Sequence, residues 1–341
     1  MNLRQSFKFP NLDAFFGTSP SALFSPGPSL ASSTPIARMA QYVSPTPPIA
    51  GLARSSLALG LLLTVLFTPV DQLFFRSQSV PAGTLCGGVA GDLSLFCMSQ
   101  PHDSPAAKII AVVILVAVVV GLLPGLTTWL HAWVAWSFQI SSPIPDGGDQ
   151  VGAMVATWLC ILYFADTRLT HWSYRSTPPI QPVRSMIRYS GSSLLILQTA
   201  VIYGHAFIAK LSVPEWTNAT SLWYWIQHPA FRPPQFITEI LSFISSSWIG
   251  TIGLNYGTLV LEASLMLVFL MPRRAAAIVA VIAVVFHIGI ALTFGLWSFF
   301  CSMLCVVILG IIVPHTNRLA LEAKFANSTK NPDPRITQNG G

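Results

Sequence analysis

The chain is organised as a series of long apolar runs separated by polar or proline-containing stretches. A helix needs roughly 20 predominantly apolar residues to cross the hydrocarbon core of a bilayer. By that criterion the pattern predicts about seven spans, at residues 49–70, 109–130, 151–165, 192–211, 249–271, 275–294 and 296–313. Pro124 is expected to kink the second of them. The sequence therefore predicts an all-α, polytopic transmembrane helical bundle.

Two aromatic runs do not fit the pattern of a crossing. They are "WLHAWVAW" at residues 129–136 and "EWTNATSLWYWIQHPAFRPP" at residues 215–234. Tryptophan rings settle at the membrane–water interface, so each run predicts a short helix lying in that interface. A helical pattern then continues from residue 234 to residue 271, and the fifth span is its second part.

The two ends of the chain differ from its middle. Residues 1–48 are rich in proline and serine with few charges, which predicts a flexible N-terminal tail. Residues 49–315 contain all the apolar runs without a long polar insertion, so we expect one transmembrane domain there. Residues 316–341 are predicted to form a polar C-terminal tail.

Composition supports a multi-pass protein of the cell membrane. Of the 341 residues, 52% are hydrophobic and 9% are charged, which is more apolar than a soluble domain needs to be. The net charge of +6 comes from lysines and arginines near the ends of apolar runs, where anionic lipid headgroups attract them. We therefore expect a lipid bilayer as partner and no nucleic acid.

Basic residues also bear on orientation. With seven crossings, Arg168, Arg188 and Arg273 fall on one side of the membrane, whereas Arg38 and Arg54 fall on the other. Short cytoplasmic loops are enriched in lysine and arginine. Either the N-terminus lies outside, or one crossing has been miscounted, and residues 124–140 are the stretch where a further crossing would fit.

The cysteines fall into two groups. Cys86 and Cys97 flank the polar run "CGGVAGDLSLFC" and can form a disulfide if that loop faces an oxidising side. Cys160, Cys301 and Cys305 lie in apolar runs and are expected to be packing residues. No motif typical of a zinc, phosphate or dinucleotide site occurs in a suitable context, so no metal site is predicted.

Ionisable residues within predicted spans are costly and often functional, and four candidates stand out: His205, Lys210, Glu262 and His287. Glu262 and His287 lie near the middle of adjacent spans, so we expect them to contact each other directly. That contact would be either a structural hydrogen bond or a pair that handles protons.

Lys210 lies close to Pro214, at the end of its helix. Its ammonium group could reach the headgroups without any chemical role. A lysine held in an apolar pocket would instead lose its proton more easily and become a base or a nucleophile. Tyr203 and Lys210 are seven residues apart and share a helical face that His205 does not, so a site here would draw on Tyr203, Lys210 and Trp216.

Two loops contribute further polar groups. In "PDGGDQ", Asp146 and Asp149 either cap the following helix or contribute to a site. In "FADTRLTHW", Asp166, Arg168 and His171 form either an ion pair with a neighbouring histidine or a ligand-binding group. His171 lacks the partners at fixed spacing that a metal site requires.

These segments occur together in one known family. "PDGGDQ", "FADTRLTHW", "VIYGHAFIAKLSVPEW" with the following "SLWYW", then Glu262, and "FHIGIALTFGLWSF" with His287 come in the order seen in the bacterial sporulation-delaying protein B family. That family is similar to the HTTM membrane domains, which include vitamin K-dependent gamma-carboxylase. The resemblance covers about residues 45–315.

The resemblance implies an integral membrane factor for the maturation or production of a secreted peptide toxin. It also implies two partners, a small protein encoded alongside and a secreted peptide precursor. In the carboxylase, the lysine that matches Lys210 is taken as the base that deprotonates reduced vitamin K. His287 matches a histidine that recurs in the sixth-span motif.

This chain departs from the carboxylase in two ways. It has Gln150 near the place of a further catalytic histidine, and it lacks the large lumenal domain. These departures argue against carboxylation of glutamate. They leave open quinone-type redox or proton chemistry, with a quinone or another lipid as the cofactor.

Two other functions stay open, and so does the question whether the chain is an enzyme. A transporter or toxin-immunity protein would line a path with the same polar groups, although no inverted internal repeat is visible. A structural anchor would use them to hold helices together. The candidate catalytic residues are Lys210, Glu262 and His287, and the candidate substrate-binding residues are Tyr203, Trp216, Asp146, Asp149, Asp166, Arg168 and His171.

Overall fold

The computed structural model describes residues 47–315 except 75, 77, 79, 99–104, 144, 165, 174–181, 229–230 and 232. These residues form helices joined by short loops, and an isolated bridge between Leu122 and Thr170 is the one β contact among them. The predicted all-α helical bundle is confirmed. The predicted tails lie outside the described residues, apart from residues 47 and 48 at the start of the first helix.

The helices are named here in chain order. They are α1 (Pro47–Phe67), α2 (Val70–Leu73), α3 (Gly88–Asp92), α4 (Leu95–Met98), α5 (Pro105–Val120), α6 (Pro124–Ser141), α7 (Gly147–Leu162), α8 (Pro182–Leu211), α9 (Pro214–Thr217), α10 (Ser221–Gln227), α11 (Gln235–Ser245), α12 (Trp248–Met266), α13 (Arg273–Phe294) and α14 (Trp297–Val307). A 3₁₀ turn, Val268–Leu270, follows α12, and a π-helical turn, Ile308–Ile312, continues α14.

Four helical stretches of the described chain are long and apolar enough to cross a membrane: Pro48–Phe67, Met186–Leu211, Arg273–Phe294 and Trp297–His315. The bent pair α11 and α12 adds a fifth if it is counted as one span. The prediction of about seven spans agrees roughly with this number, because α5, α6 and α7 also run through the bundle but are shorter or less apolar.

The predicted kinked span at residues 109–130 is wrong, because two separate helices occupy this region. Helix α5 ends at Val120, and the chain reverses through Gly121 (φ 96°) and Leu123 (φ 38°). A Cβ atom on residue 121 would also collide with the ring of His171. Pro124 has no amide hydrogen to donate, so it begins the next helix rather than bending the previous one.

The structure places residues 129–136 in the middle of the 18-residue helix α6 and not in a short helix of their own. Helix α6 packs along α7 and buries His131, while Trp129 and Trp136 are exposed. Two of the indole N–H groups have partners within the protein. Trp133 donates to the Leu93 carbonyl at 2.9 Å, and Trp136 donates to the Thr157 hydroxyl at 2.8 Å.

The helical stretch predicted to run from residue 234 to residue 271 is broken. Helices α11 and α12 meet at an angle of 104°. Ser247 has an extended backbone, and its hydroxyl accepts a hydrogen bond from the Gly250 amide at 3.0 Å, so it caps the start of α12. No residue of α11 is buried, whereas α12 packs against α8.

Consecutive long helices run in opposite directions through the bundle. The turn between α5 and α6 meets the loop after α7, where the Leu123 amide donates to the Leu169 carbonyl at 2.9 Å. The end of α6 meets the loop between α2 and α3, where the Leu85 amide donates to the Ser141 carbonyl at 3.0 Å. The bundle therefore has two ends. We call the end with the contact between Leu123 and Leu169 the His171 end, and the end with the contact between Leu85 and Ser141 the Lys210 end.

Candidate functional site

The most unusual polar contact in the bundle joins α8 to α12. The ammonium group of Lys210, in the last turn of α8, donates to Oε1 of Glu262 at 2.7 Å. The Glu262 side chain is 7% exposed and that of Lys210 is 23% exposed, so the pair is largely removed from the surface. Gly204 lies earlier on α8, and its lack of a side chain lets the Met266 side chain of α12 approach closely. Lys210 is therefore held by a partner rather than simply reaching outwards.

The predicted direct contact between Glu262 and His287 is wrong. Glu262 bonds to Lys210, and no hydrogen bond joins it to His287 in the described part of the chain. The Nδ1–H of His287 donates to the Ala283 carbonyl of its own helix at 2.6 Å. The His287 ring packs edge-on against Tyr203 and tilted against Phe299, with centroid distances of 6.1 and 5.5 Å.

Two buried oxygen atoms beside this pair have no hydrogen-bond partner. They are the hydroxyl of Tyr203 and Oε2 of Glu262. Leaving such a group unpaired costs about 1–3 kcal/mol, so each one calls for an explanation.

His205 is exposed on the other side of α8, as the helical spacing predicts.

Trp216 covers the lysine. Its ring centre lies 5.2 Å from the Lys210 ammonium, in the range of a cation–π contact. The segment that carries it is fixed to α12, because the Tyr256 hydroxyl donates to the Thr217 carbonyl at 2.6 Å and the Asn255 amide donates to the Ala219 carbonyl at 2.8 Å. Sequence reasoning missed Asn255 and Tyr256; a polar residue such as Asn255 in an apolar helix was the available signal.

We call Lys210, Glu262, Tyr203, Trp216 and His287 the Lys210 cluster. The structure brings these five predicted residues together at one end of the bundle, from helices α8, α12 and α13 and the turn α9. The other predicted site residues lie elsewhere.

Asp146 and Asp149 form the cap of α7. The Asp149 amide donates to Oδ1 of Asp146 at 2.7 Å, and the Asp146 amide donates to Oδ2 of Asp149 at 3.1 Å, which together make a capping box. The Ser298 hydroxyl donates to Oδ2 of Asp146 at 2.8 Å and ties the cap to α14. Phe299 separates this cap from the Lys210 cluster, because its backbone lies against Gly148 and its ring lies against His287.

Asp166 and Arg168 form an ion pair at the His171 end. Nε of Arg168 donates to Oδ1 of Asp166 at 2.9 Å, and a second bond joins Nη2 to Oδ2. Burial favours the protonated form of Asp166, but the hydrogen bonds and the charge of Arg168 outweigh it, so the pKa of this carboxyl group lies below its ordinary value. Arg168 also donates to the Ser173 carbonyl, so the pair organises the loop after α7.

His171 lies beside this pair and is fully buried. Arg54 of α1 donates to its Nδ1 at 2.9 Å, since a guanidinium group can only donate, and this requires the neutral ring with its hydrogen on Nε2. Ser55 lies 3.4 Å from Nε2 and donates in turn to the Val119 carbonyl. Burial, and then the charges of Arg54 and Arg168, lower the pKa of His171 to about 3.

Arg54 is the residue that sequence reasoning most undervalued. It is fully buried in a predicted span, donates to the Thr127 hydroxyl at 2.5 Å, and lies over the ring of Tyr163. Its position inside an apolar run was the signal, but the sequence could not show which helices would surround it.

Cys86 and Cys97 are joined by a disulfide at the Lys210 end, and the Cys97 sulfur lies 3.3 Å from the Ser141 hydroxyl of α6. Among the described residues, no three His, Cys, Asp or Glu side chains are placed to share a metal ion.

Comparison with known proteins identifies two relatives from Bacillus subtilis (strain 168). The chain is 29% identical to the uncharacterized protein YitO over 261 residues, which are 76% of this chain and 83% of YitO. It is 24% identical to the sporulation-delaying protein SdpB over 261 residues, which are 76% of this chain and 79% of SdpB. No family model and no solved structure matches. The chain is thus a distant relative of SdpB and, with its apolar helices, a membrane protein.

Proposed function

We propose that the chain is a multi-pass protein of the cell membrane that supports production of a secreted peptide toxin, and that the Lys210 cluster performs proton chemistry in that process. The relation to SdpB supports the first part. The second part rests on one observation: in the lysine–glutamate pair, Oε2 of the buried Glu262 has no partner, and neither has the buried hydroxyl of the neighbouring Tyr203.

The pair offers a simple way to generate a base. Burying two opposite charges is costly, and transfer of one proton from Lys210 to Glu262 along their hydrogen bond removes both charges at once. The amine lone pair of Lys210 is then free to accept a proton from a substrate O–H, N–H or C–H group. The ring of Trp216 lies over the ammonium group of Lys210.

The unpartnered oxygens suggest what kind of molecule binds. The Tyr203 hydroxyl can donate to a carbonyl oxygen, and Oε2 of Glu262 can accept from a hydroxyl group. A quinone or another oxygen-bearing lipid fits both groups, and a quinone would supply redox chemistry when bound. In this proposal the chain itself binds the lipid, orients it and removes a proton, in a domain of the HTTM type.

Two partners belong to the proposal. One is a small protein encoded alongside, and the other is the secreted peptide precursor on which production depends. The Lys210 end, where the aromatic helix α10 is exposed, is the surface where we would expect the precursor to arrive.

The test is to replace Lys210 by methionine, which keeps most of the length of the unbranched side chain but cannot carry a proton. Cells would express the variant with the neighbouring genes, and secreted peptides would be followed by mass spectrometry. We expect K210M to abolish the mature peptide at a normal membrane level of the protein. The matched control is H205L, on the exposed face of the same helix, which should secrete a normal amount.

Two outcomes would contradict the proposal. Normal peptide from K210M would remove the lysine from the chemistry. Normal peptide combined with new sensitivity of the cells to it would instead favour a toxin-immunity protein.

A further inference from the structure

A small cavity lies inside the bundle between α1, α6, α7 and α14. Its walls are mostly apolar, and they include Leu57, Leu61 and Phe138. Three polar side chains also line it: His131 from α6, Asp149 from α7 and Ser302 from α14. None of the residues that line the cavity belongs to the Lys210 cluster.

His131 is the least expected of the three. It is 1% exposed, and its Nδ1 atom has no hydrogen-bond partner in the protein. A buried, unpaired ring nitrogen is costly, whereas an apolar side chain of similar size would fill the same space without this cost. Asp149 accepts the Asp146 amide through Oδ2 in the capping box, and its side chain also lines the cavity.

The size of the cavity decides which ligand fits. The centre of a water-sized sphere can occupy about 10 Å³ within it. A single water molecule needs about 10–15 Å³ by this measure, together with two to four polar partners. The cavity therefore has room for about one water molecule, is lined by three polar side chains, and is too small for an organic ligand.

We propose that His131, Asp149 and Ser302 bind one water molecule and form with it a second proton-holding site, distinct from the Lys210 cluster. The water bridges the imidazole of His131 to the carboxyl group of Asp149, so one proton is shared among imidazole, water and carboxylate. The charged groups that face this site are Arg54 of α1, whose charge acts on His131, and Asp146, which contacts Asp149. The proposal does not depend on the toxin-related function.

Helix α7 offers a substitution that removes the water without removing a titratable group. Gly152 lines the cavity, and a Cβ atom there would have a single neighbour within 4 Å, Oγ of Ser302 at 3.4 Å. Alanine therefore fits, and its methyl group takes up the space between α7 and α14. Gly147, five residues earlier and exposed, provides the matched control, because alanine there would meet only the ring of Phe299 at 3.7 Å.

The experiment is infrared spectroscopy of the full-length protein in lipid nanodiscs, with wild type, G152A, G147A, H131L and D149N compared. We expect the wild type and G147A to show an O–H band of a bound water that shifts in H₂¹⁸O, and a carboxyl band that is absent from D149N. G152A and H131L should both lose the water band and shift the Asp149 band. The proposal is overturned if the wild type has no such water band, or if the band persists unchanged in G152A and H131L.

Discussion

At the scale of single residues, the best-defined network is the chain of donors that runs from Arg54 through His171 and Ser55 to the Val119 carbonyl. The bond from Arg54 requires the neutral ring of His171 with its hydrogen on Nε2. Protonation of Nδ1 would place two donors face to face and remove the acceptor on which the buried guanidinium of Arg54 depends. This network fastens the His171 end to α1.

The network predicts a stability that falls in mild acid. The pKa of His171 is lowered to about 3 in the folded protein, whereas its ordinary value is near 6.5. As the pH falls, His171 therefore binds its proton in the unfolded chain first. The contribution of His171 is complete above pH 6.5 and is lost as the pH falls towards 3. Between pH 7 and pH 5 the loss is up to about 2 kcal/mol.

The measurement is the thermal unfolding midpoint in nanodiscs at several pH values. H171Q keeps an acceptor for Arg54 but does not titrate, so its midpoint should fall less steeply over this range than that of the wild type. Parallel pH dependence in the two proteins would show that His171 is not the neutral acceptor described here.

At the scale of helices, the sequence predicted where apolar helices lie but not where they break or how they rotate. The apolar run at residues 275–294 became α13 almost unchanged, since length and hydropathy define such a helix. The breaks near residues 122 and 246 depend on tertiary contacts and caps that periodicity does not contain. Similar depth suggested that Glu262 meets His287, but rotation about the helix axes brings Lys210 to Glu262 instead.

Helix packing makes a prediction that uses two glycines. Gly310, in the π-helical turn, lies against Thr199 of α8, and a Cβ there would overlap the threonine side chain. G310A should therefore lower the free energy of unfolding by about 1–3 kcal/mol. The matched control is G289A in α13, where a Cβ meets nothing within 4 Å, so stability should be unchanged or slightly higher. Equal effects of both substitutions on the unfolding midpoint would contradict this packing.

At the scale of the whole molecule, helix α6 bears on the orientation of the proposed multi-pass protein. Counted as a further pass through the bundle, it brings Arg54, Arg168, Arg188, Arg273 and Arg274 to the His171 end. The positive-inside rule then predicts that this end lies in the cytoplasm. We therefore expect the Lys210 end, with the disulfide between Cys86 and Cys97, to face outwards, where disulfides persist.

This orientation is testable with intact cells. After treatment with a membrane-impermeant reductant, we expect Cys86 and Cys97 to react with an impermeant maleimide. The control is R274C at the other end, which should react only after the cells are made permeable. Labelling of R274C in intact cells, with protection of the disulfide loop, would reverse the orientation.

The central claim is that Lys210 and Glu262 work as one proton-handling unit, and a double-mutant cycle tests it most directly. Secreted mature peptide would be quantified by mass spectrometry for wild type, K210M, E262Q and the double variant, at matched membrane levels. A single unit predicts that each single variant loses the peptide and that the double variant loses no more than either. Normal secretion by either single variant, or independent losses that multiply in the double variant, would contradict it.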